Sequence, residues 1–322
     1  MDLAFTEEQL AIRDAVREAL EGECAPSVVR AAWKEPQPQL WSLLGELGVW
    51  GTALPEEAGG LGLGMLDLVL VLEELGRAAF PGPSIEVVAA APALFEAGED
   101  DLVARVALGR ALVSVVAPDG HAVDADRCEA VLSVQEGGVR WIEDPDLSAR
   151  SSVDGSRRLF AVSGQGRLLS CSRQALLDRA SLAVAAQTLG AGRKVLDLAV
   201  AYAKDRHQFG KPIGSFQAVQ HQLADALLRL SFAAPLVYRA AWSLDHRSAH
   251  TPVDVAMAHS AALDAADLAC RKALQVHGAI GYAFECDLHL WMKRVWALRA
   301  AWGGPAVHRE RVAASLFGGT DV

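Results

Sequence analysis

The stretch RQALLDRASLAVAAQTLGAGRKVLDLAVAYAKDRHQFG, Arg173 to Gly210, constrains the fold more than any other part of this chain. It holds no proline, and its apolar and small residues recur at helical spacing, so it reads as one long helix or two in series. Three more helical runs follow. SFQAVQHQLADALLRLSFAAPLVYRAAWSLDHR has Pro235 as a candidate kink. TPVDVAMAHSAALDAADLACRKALQVHG offers Thr251 as N-cap and Pro252 at the first helical position. CDLHLWMKRVWALRAAW is the fourth. Small residues interleaved with apolar ones on facing helices fit a C-terminal four-helix bundle, residues 171–322.

The start of the chain, residues 1–108, is also patterned as helices. Thr6 opens a T-x-x-Q capping box with Gln9. QLWSLLGELGVWG, MLDLVLVLEELGRAAF and SIEVVAAAPALFEAG read as further helices, with Gly48 ending the first of these and Pro92 a candidate kink in the last. Between Gln39 and Met65 lies the Pro/Gly-rich loop ALPEEAGGLGLG. Residues 109–170 change character: ALVSVVAP, EAVLSVQEGGVRWIED and RLFAVSGQGRLLSC are short β-type runs. Gly137-Gly138 and Gly164-Gln165-Gly166 read as hairpin turns. The class is therefore α+β, mostly α, with a reduced β domain between two helical ones.

With 322 residues, 52% of them hydrophobic, the chain can bury a large core. Its net charge of -10 argues against a nucleic-acid partner. The most apolar window, LGLGMLDLVLVLEELG, is broken by Asp67, Glu73 and Glu74, so no membrane span is expected. The N-terminus is acidic where a signal peptide is basic, and the five cysteines lack C-x-x-C spacing. Free thiols in a reducing cytoplasm are the expectation.

Two helix ends carry chemistry that a helix stop does not need. RHQFGKPIGSFQ puts the guanidinium of Arg206, the amides of Gln208 and Gln217 and the rings of Phe209 and Phe216 within twelve positions. QVHGAIGYAFECD adds the amide of Gln275 and the open backbone of Gly278 and Gly281. Arginine suits a phosphate and an aromatic face suits a base, so together they suit the pyrophosphate and adenosine of a dinucleotide. Singly, each has an ordinary explanation: a cation at a helix C-terminus, a core ring, a glycine cap.

In that order the two runs resemble the acyl-CoA dehydrogenase family, whose C-terminal helical domain carries R-x-Q-F-G-x-x-I-x-x-F-Q and then Q-x-x-G-G-x-G-Y. Here Ala279 replaces the second glycine of the latter. PEEAGGLG, Pro55 to Gly62, is similar to a further segment of the family. The resemblance implies an N-terminal helical domain, a small β domain and a C-terminal four-helix bundle. It implies FAD, an acyl-CoA thioester substrate and an electron-transfer acceptor protein. It assigns Arg206, Gln208, Phe209, Phe216, Gln217, Gln275 and Gly278 to the cofactor. In the family a carboxylate removes the α-proton of the thioester and the flavin takes the β-hydride.

Two departures narrow it. The family's base stands after the last long helix or on the helix before the R-x-Q-F-G run. The matching positions are Trp302 to Gly304 and Ala180, so neither holds a carboxylate and no catalytic residue is assigned. Asp178, near the second station, reads as a solvated surface carboxylate beside Arg179, and Glu285 as a residue at a helix start. Residues 109–170 also lack the segments that hold the flavin ring in the family; APDGHAVDADRCEAVL is only vaguely similar. In family homo-oligomers the two runs reach a neighbouring subunit's FAD. The resemblance then narrows to the short, base-less subunits of actinobacterial heteromeric enzymes of steroid side-chain degradation, paired with a full-length homologue as α2β2. A self-sufficient homo-oligomer with an unrecognised base and a non-catalytic helical scaffold remain as alternatives.

Overall fold

The computed structural model describes residues 4–318. The N-terminal helices are α1 (Glu7–Glu23), α2 (Pro26–Ala31), α3 (Pro38–Glu46), α4 (Met65–Arg77), α5 (Ser84–Glu96) and α6 (Asp100–Ala107). The Thr6 capping box closes as the sequence indicates: Gln9 N–H donates to Thr6 Oγ1 at 3.2 Å and Thr6 N–H to Gln9 Oε1 at 3.0 Å. Gly48 follows α3 at φ 75°, where a side chain would be strained.

Seven strands follow: β1 (Val113–Val116), β2 (His121–Val123), β3 (Ala130–Gln135), β4 (Gly138–Ile142), β5 (Asp146–Arg150), β6 (Leu159–Ser163) and β7 (Gly166–Leu168). They form two small sheets, ordered β1-β3-β4-β7 and β2-β6-β5. The β3–β4 hairpin expected at Gly137-Gly138 is present, with Gln135 opposite Gly138. The hairpin expected at Gly164-Gln165-Gly166 is absent. There the chain passes from one sheet to the other, since β6 pairs with β2 and β5 while β7 pairs with β4. Gly164, at φ 142°, has no room for a Cβ beside Ile142, so it makes the corner.

The C-terminal half is α7 (Arg173–Asp205), the two-residue strands β8 (His207–Gln208) and β9 (Lys211–Pro212), then α8 (Gln217–Asp245), α9 (Thr251–His277), α10 (Leu288–Ala300) and α11 (Gly304–Phe317). The Arg173 run is one helix. Pro92 and Pro235 lie inside α5 and α8. Thr251 is not the cap of α9. It is the first helical residue, and its hydroxyl donates back to the carbonyls of Ser243 and Ser248 at 2.9 and 2.7 Å. The last helix, α11, lies beyond the four helical runs that the sequence pattern marks in this half.

The α7 helix is the axis of the molecule. Nearly every residue from Leu176 to Gly192 is buried, against α4, α5, α9 and α10. Glycines allow the closest passages: a Cβ at Gly190 would strike the backbone of Glu73, and one at Gly76 the backbone of Gln187.

Three elements meet at Arg294 of α10. Its side chain is 2% exposed, and it donates to Asp154 Oδ2 at 2.5 Å, Ser156 Oγ at 2.8 Å, and the carbonyls of Phe80 and Ala79 at 2.9 and 3.2 Å. This one guanidinium joins the strand region, the α4–α5 turn and the bundle. Burial works to raise the Asp154 carboxyl, but Arg294 and the Ser156 hydrogen bonds outweigh it and the net shift is downward. Nearby, Arg157 pairs with Glu86 of α5 at 3.3 Å, both buried.

Candidate functional site

The four-helix topology sends α7 and α9 in the same direction, so their C-termini share one end of the bundle. Tyr202 on α7 stacks on His277 at the end of α9, centroids 4.4 Å apart. Both sequence-predicted clusters therefore sit at this end. Tyr202 and His277 were missed by the sequence reading; the signal was Tyr202 lying one helical turn before Arg206.

Arg206 ends α7: its N–H donates to the Tyr202 carbonyl at 2.9 Å, and its side chain is exposed, with no ion-pair partner among the described residues. The chain then turns through β8 and β9, where His207 pairs with Pro212 and Gln208 with Lys211. Phe209 and Gly210 form the tip at φ 53° and 79°. Two successive positive φ values define a type I′ turn, which favours Asn or Gly at its first position; here that position is a phenylalanine. It is 91% exposed. A large ring held in a strained backbone conformation and left in water contributes nothing to this chain's own core. Its one ring contact is an edge-on approach to Phe216 at 6.1 Å, and Lys211 Nζ lies 4.4 Å over the Phe216 ring.

Gln217, Gln275 and Gly278 complete the surface. Gln217 begins α8 exposed, Gln275 is exposed on the last turn of α9, and Gly278 ends α9 at φ 61°. Beyond it, Tyr282 and Phe284 are 80% and 60% exposed. All seven predicted cofactor residues thus belong to one end of the bundle, and all but the half-buried Phe216 are exposed. Two helix C-termini meet here, which disfavours phosphate; a cation without a carboxylate partner offsets that. The donor set of arginine, lysine, amides and rings fits the nucleotide end of FAD.

Facing α10, Ala117, Asp119, His121 and Val123 line a cleft of about 210 Å³ together with Glu86 and Arg157. Sites for drug-sized ligands usually exceed ~300 Å³.

Neither base station gains a carboxylate. Ala180 is fully buried, and Trp302 is 3% exposed at φ 57°, its carbonyl accepting from His308 Nε2 at 3.1 Å. Asp178 is not the solvated surface residue its neighbours in sequence imply. It is 3% exposed, accepts from Gln174 Nε2 at 2.8 Å, and burial pushes its carboxyl up to about 6. Glu285 is exposed, and Asp287 rather than Glu285 precedes α10. Among the described residues no group of side chains could hold a metal ion, all five cysteines are free, and no helix is long and apolar enough to cross a membrane.

Comparison with known proteins places these features. The family models for the acyl-CoA dehydrogenase N-terminal and C-terminal domains match residues 6–108 and 171–317. Acyl-CoA dehydrogenase IpdE2 of Mycolicibacterium smegmatis is 32% identical over 97% of this chain and 100% of its own length. Its namesake in Mycobacterium tuberculosis is 34% identical over 89% of this chain and 91% of its own. Among solved structures, the ChsE4-ChsE5 complex from Mycobacterium tuberculosis shares the fold at TM-score 0.88 and 24% identity, covering 100% of both chains.

Proposed function

The chain belongs to the acyl-CoA dehydrogenase family, and from that premise we propose that it is a subunit of a heteromeric, FAD-dependent acyl-CoA dehydrogenase, completing the flavin site of a full-length homologous partner in an α2β2 assembly. The observation that carries this reading is the Arg206–Phe209 turn: strained, aromatic, cationic and turned wholly away from its own body. Arg206 holds the pyrophosphate and Phe209 lies against the adenosine of the neighbour's cofactor, with Gln208, Gln217 and Gln275 as hydrogen-bonding partners. The bound flavin supplies hydride acceptance at the β-carbon of the acyl-CoA. The carboxylate that takes the α-proton belongs to the partner chain, since both stations here are empty. That a complex named for two chains shares this fold supports a heteromer, and the likeness to IpdE2 supports the family's thioester substrate. We extend the substrate to a steroid-derived CoA ester and the oxidant to an electron-transfer acceptor protein.

One observation favours the self-sufficient alternative. Asp178 is buried with its carboxyl raised to about 6, as general bases often are. Its position speaks against that role: two residues from Ala180 is about 200° around a helix, which points it away from the family's station.

Expressed alone, the chain should be nearly colourless; purified with its partner, it should give one FAD per heterodimer. Asp178→Ala should leave turnover of the complex, followed with an artificial electron acceptor, within a few-fold. One tightly held FAD per chain in a pure homo-oligomer would overturn the proposal, as would loss of turnover in Asp178→Ala with flavin and assembly intact.

A further inference from the structure

Arg206 and Gln275 stand at the ends of different helices, α7 and α9. One ligand can use both only if the two helix ends keep a fixed spacing. A single aromatic contact joins them. Tyr202, on the last turn of α7, and His277, the last residue of α9, stack with ring centroids 4.4 Å apart and planes 18° from parallel. Tyr202 is half-buried and His277 is buried. His277 Nδ1–H donates to the Ala273 carbonyl at 2.8 Å, one turn back, which fixes the orientation of its ring. Among the described residues the Tyr202 hydroxyl has no hydrogen-bond partner, so the ring is what Tyr202 contributes.

Each ring sits at the root of one of the two exposed turns. Arg206 follows Tyr202 by one helical turn, and its N–H closes on the Tyr202 carbonyl at 2.9 Å. The chain beyond it folds back against the next residue of α7: a Cβ at Gly214 would come within 3.0 Å of the Ala203 carbonyl oxygen. On the other side, Gln275 stands just before His277 and Gly278 directly after it. The turn that follows α9 rests on His277 in the same way, since a Cβ at Gly281 would lie 2.9 Å from Leu274 Cδ1 and 3.0 Å from His277 Cβ. Among the described residues no ion pair holds the Arg206 guanidinium, so its reach is set by the backbone at its root.

We propose that Tyr202 and His277 are positioning residues: their stack locks the ends of α7 and α9 together and so presets the distance between Arg206 and the Gln275–Gly278 segment before the neighbour's cofactor arrives. The inference rests on the flavin reading above and adds to it two residues that touch no cofactor. Without the stack, both segments keep their chemistry but the two ends move independently. Ordering them then becomes a cost of binding, which a preorganised site avoids.

The test is the FAD affinity of the assembled complex, read by flavin fluorescence after the flavin has been removed and titrated back, in a double-mutant cycle. Tyr202→Phe keeps the ring and should keep the wild-type affinity. Tyr202→Leu should lower it several-fold in the wild-type background and much less in an Arg206→Ala background, because the stack acts through Arg206. His277→Leu breaks the same contact from α9 and should repeat the pattern, so the inference stays testable if one variant fails to assemble. Thermal unfolding of the flavin-free complex checks that each variant folds. Full additivity with Arg206→Ala would mean that the stack does not act through Arg206, and loss of affinity in Tyr202→Phe would mean that the hydroxyl binds the cofactor directly. Unchanged affinity in both leucine variants would leave the stack serving only the fold. Each of these results overturns the proposal. If Arg206→Ala itself leaves affinity unchanged, the flavin reading fails first and takes this inference with it.

Discussion

Where the strand layer meets the helices, charged side chains are buried and paired with one another: Arg294 with Asp154, Arg157 with Glu86. At the end of the bundle the opposite holds. Among the described residues Arg206 has no carboxylate partner, and Phe209 is almost fully exposed. Both regions cost stability to build, the first by stripping water from charges and the second by straining a backbone. The first recovers that cost within the chain. The second recovers it only if something from outside arrives. The difference separates structural charge from functional charge without reference to any relative: the former is satisfied in the isolated chain and the latter is not.

The sharpest way to break this comparison is at Arg294. Arg294→Met should destabilise the chain by roughly 3–5 kcal/mol, because it leaves Asp154 ionised, buried and unpaired. Asp154→Asn should cost less, and the double variant less than the sum of the two. Denaturant unfolding measures all three. If Arg294→Met were neutral, the seam would not be what joins the strand layer to the bundle.

Acidity offers a second test. Glu73 is buried beside Arg193, and burial pushes its carboxyl up to about 7; burial likewise pushes Asp178 and Asp124 up to about 6. A carboxyl raised in the folded state holds its proton longer there than in the unfolded chain. Its contribution to stability is therefore largest at low pH and is lost as pH rises from about 4 through the folded value. In Asp178→Asn that loss is absent while the Gln174 hydrogen bond is kept. The stability difference should shift in the variant's favour by up to a few kcal/mol between pH 4 and pH 7, mostly below pH 6. A constant difference would show that Asp178 titrates normally and is not buried as described.

Phe209→Gly sharpens the comparison from the other side. Removing a side chain from φ 53° should leave the chain alone as stable as before or about 1 kcal/mol more so, while flavin retention by the complex falls. A clear loss of stability would mean that Phe209 serves its own fold.

Much of the architecture was legible in the sequence because helix caps and periodicity are local: Thr6 with Gln9, Gly48 after α3 and the unbroken Arg173 run each declare themselves within a few residues. The strand order was not, because the corner at Gly164 depends on which distant strand offers hydrogen bonds. Asp178 was misjudged for a related reason. A helix covered on nearly every side has no solvent face for polar residues to mark, so a carboxylate in it looks like a surface residue. The Arg206 turn was readable as chemistry because its residue types are wasted on a helix stop. The Arg294–Asp154 pair spans 140 residues and has no local signature.

The most direct test of the central claim is the affinity of the assembled complex for FAD, measured for wild type and for Arg206→Ala after removal of the flavin. If Arg206 holds a neighbour's pyrophosphate, the substitution removes a charge-assisted hydrogen bond worth roughly 1.5–3 kcal/mol, and affinity should fall by about tenfold or more. The unfolding midpoint of the isolated chain should not move. Unchanged FAD affinity in a folded, assembled complex would make Arg206 an ordinary cation at a helix end and contradict the account.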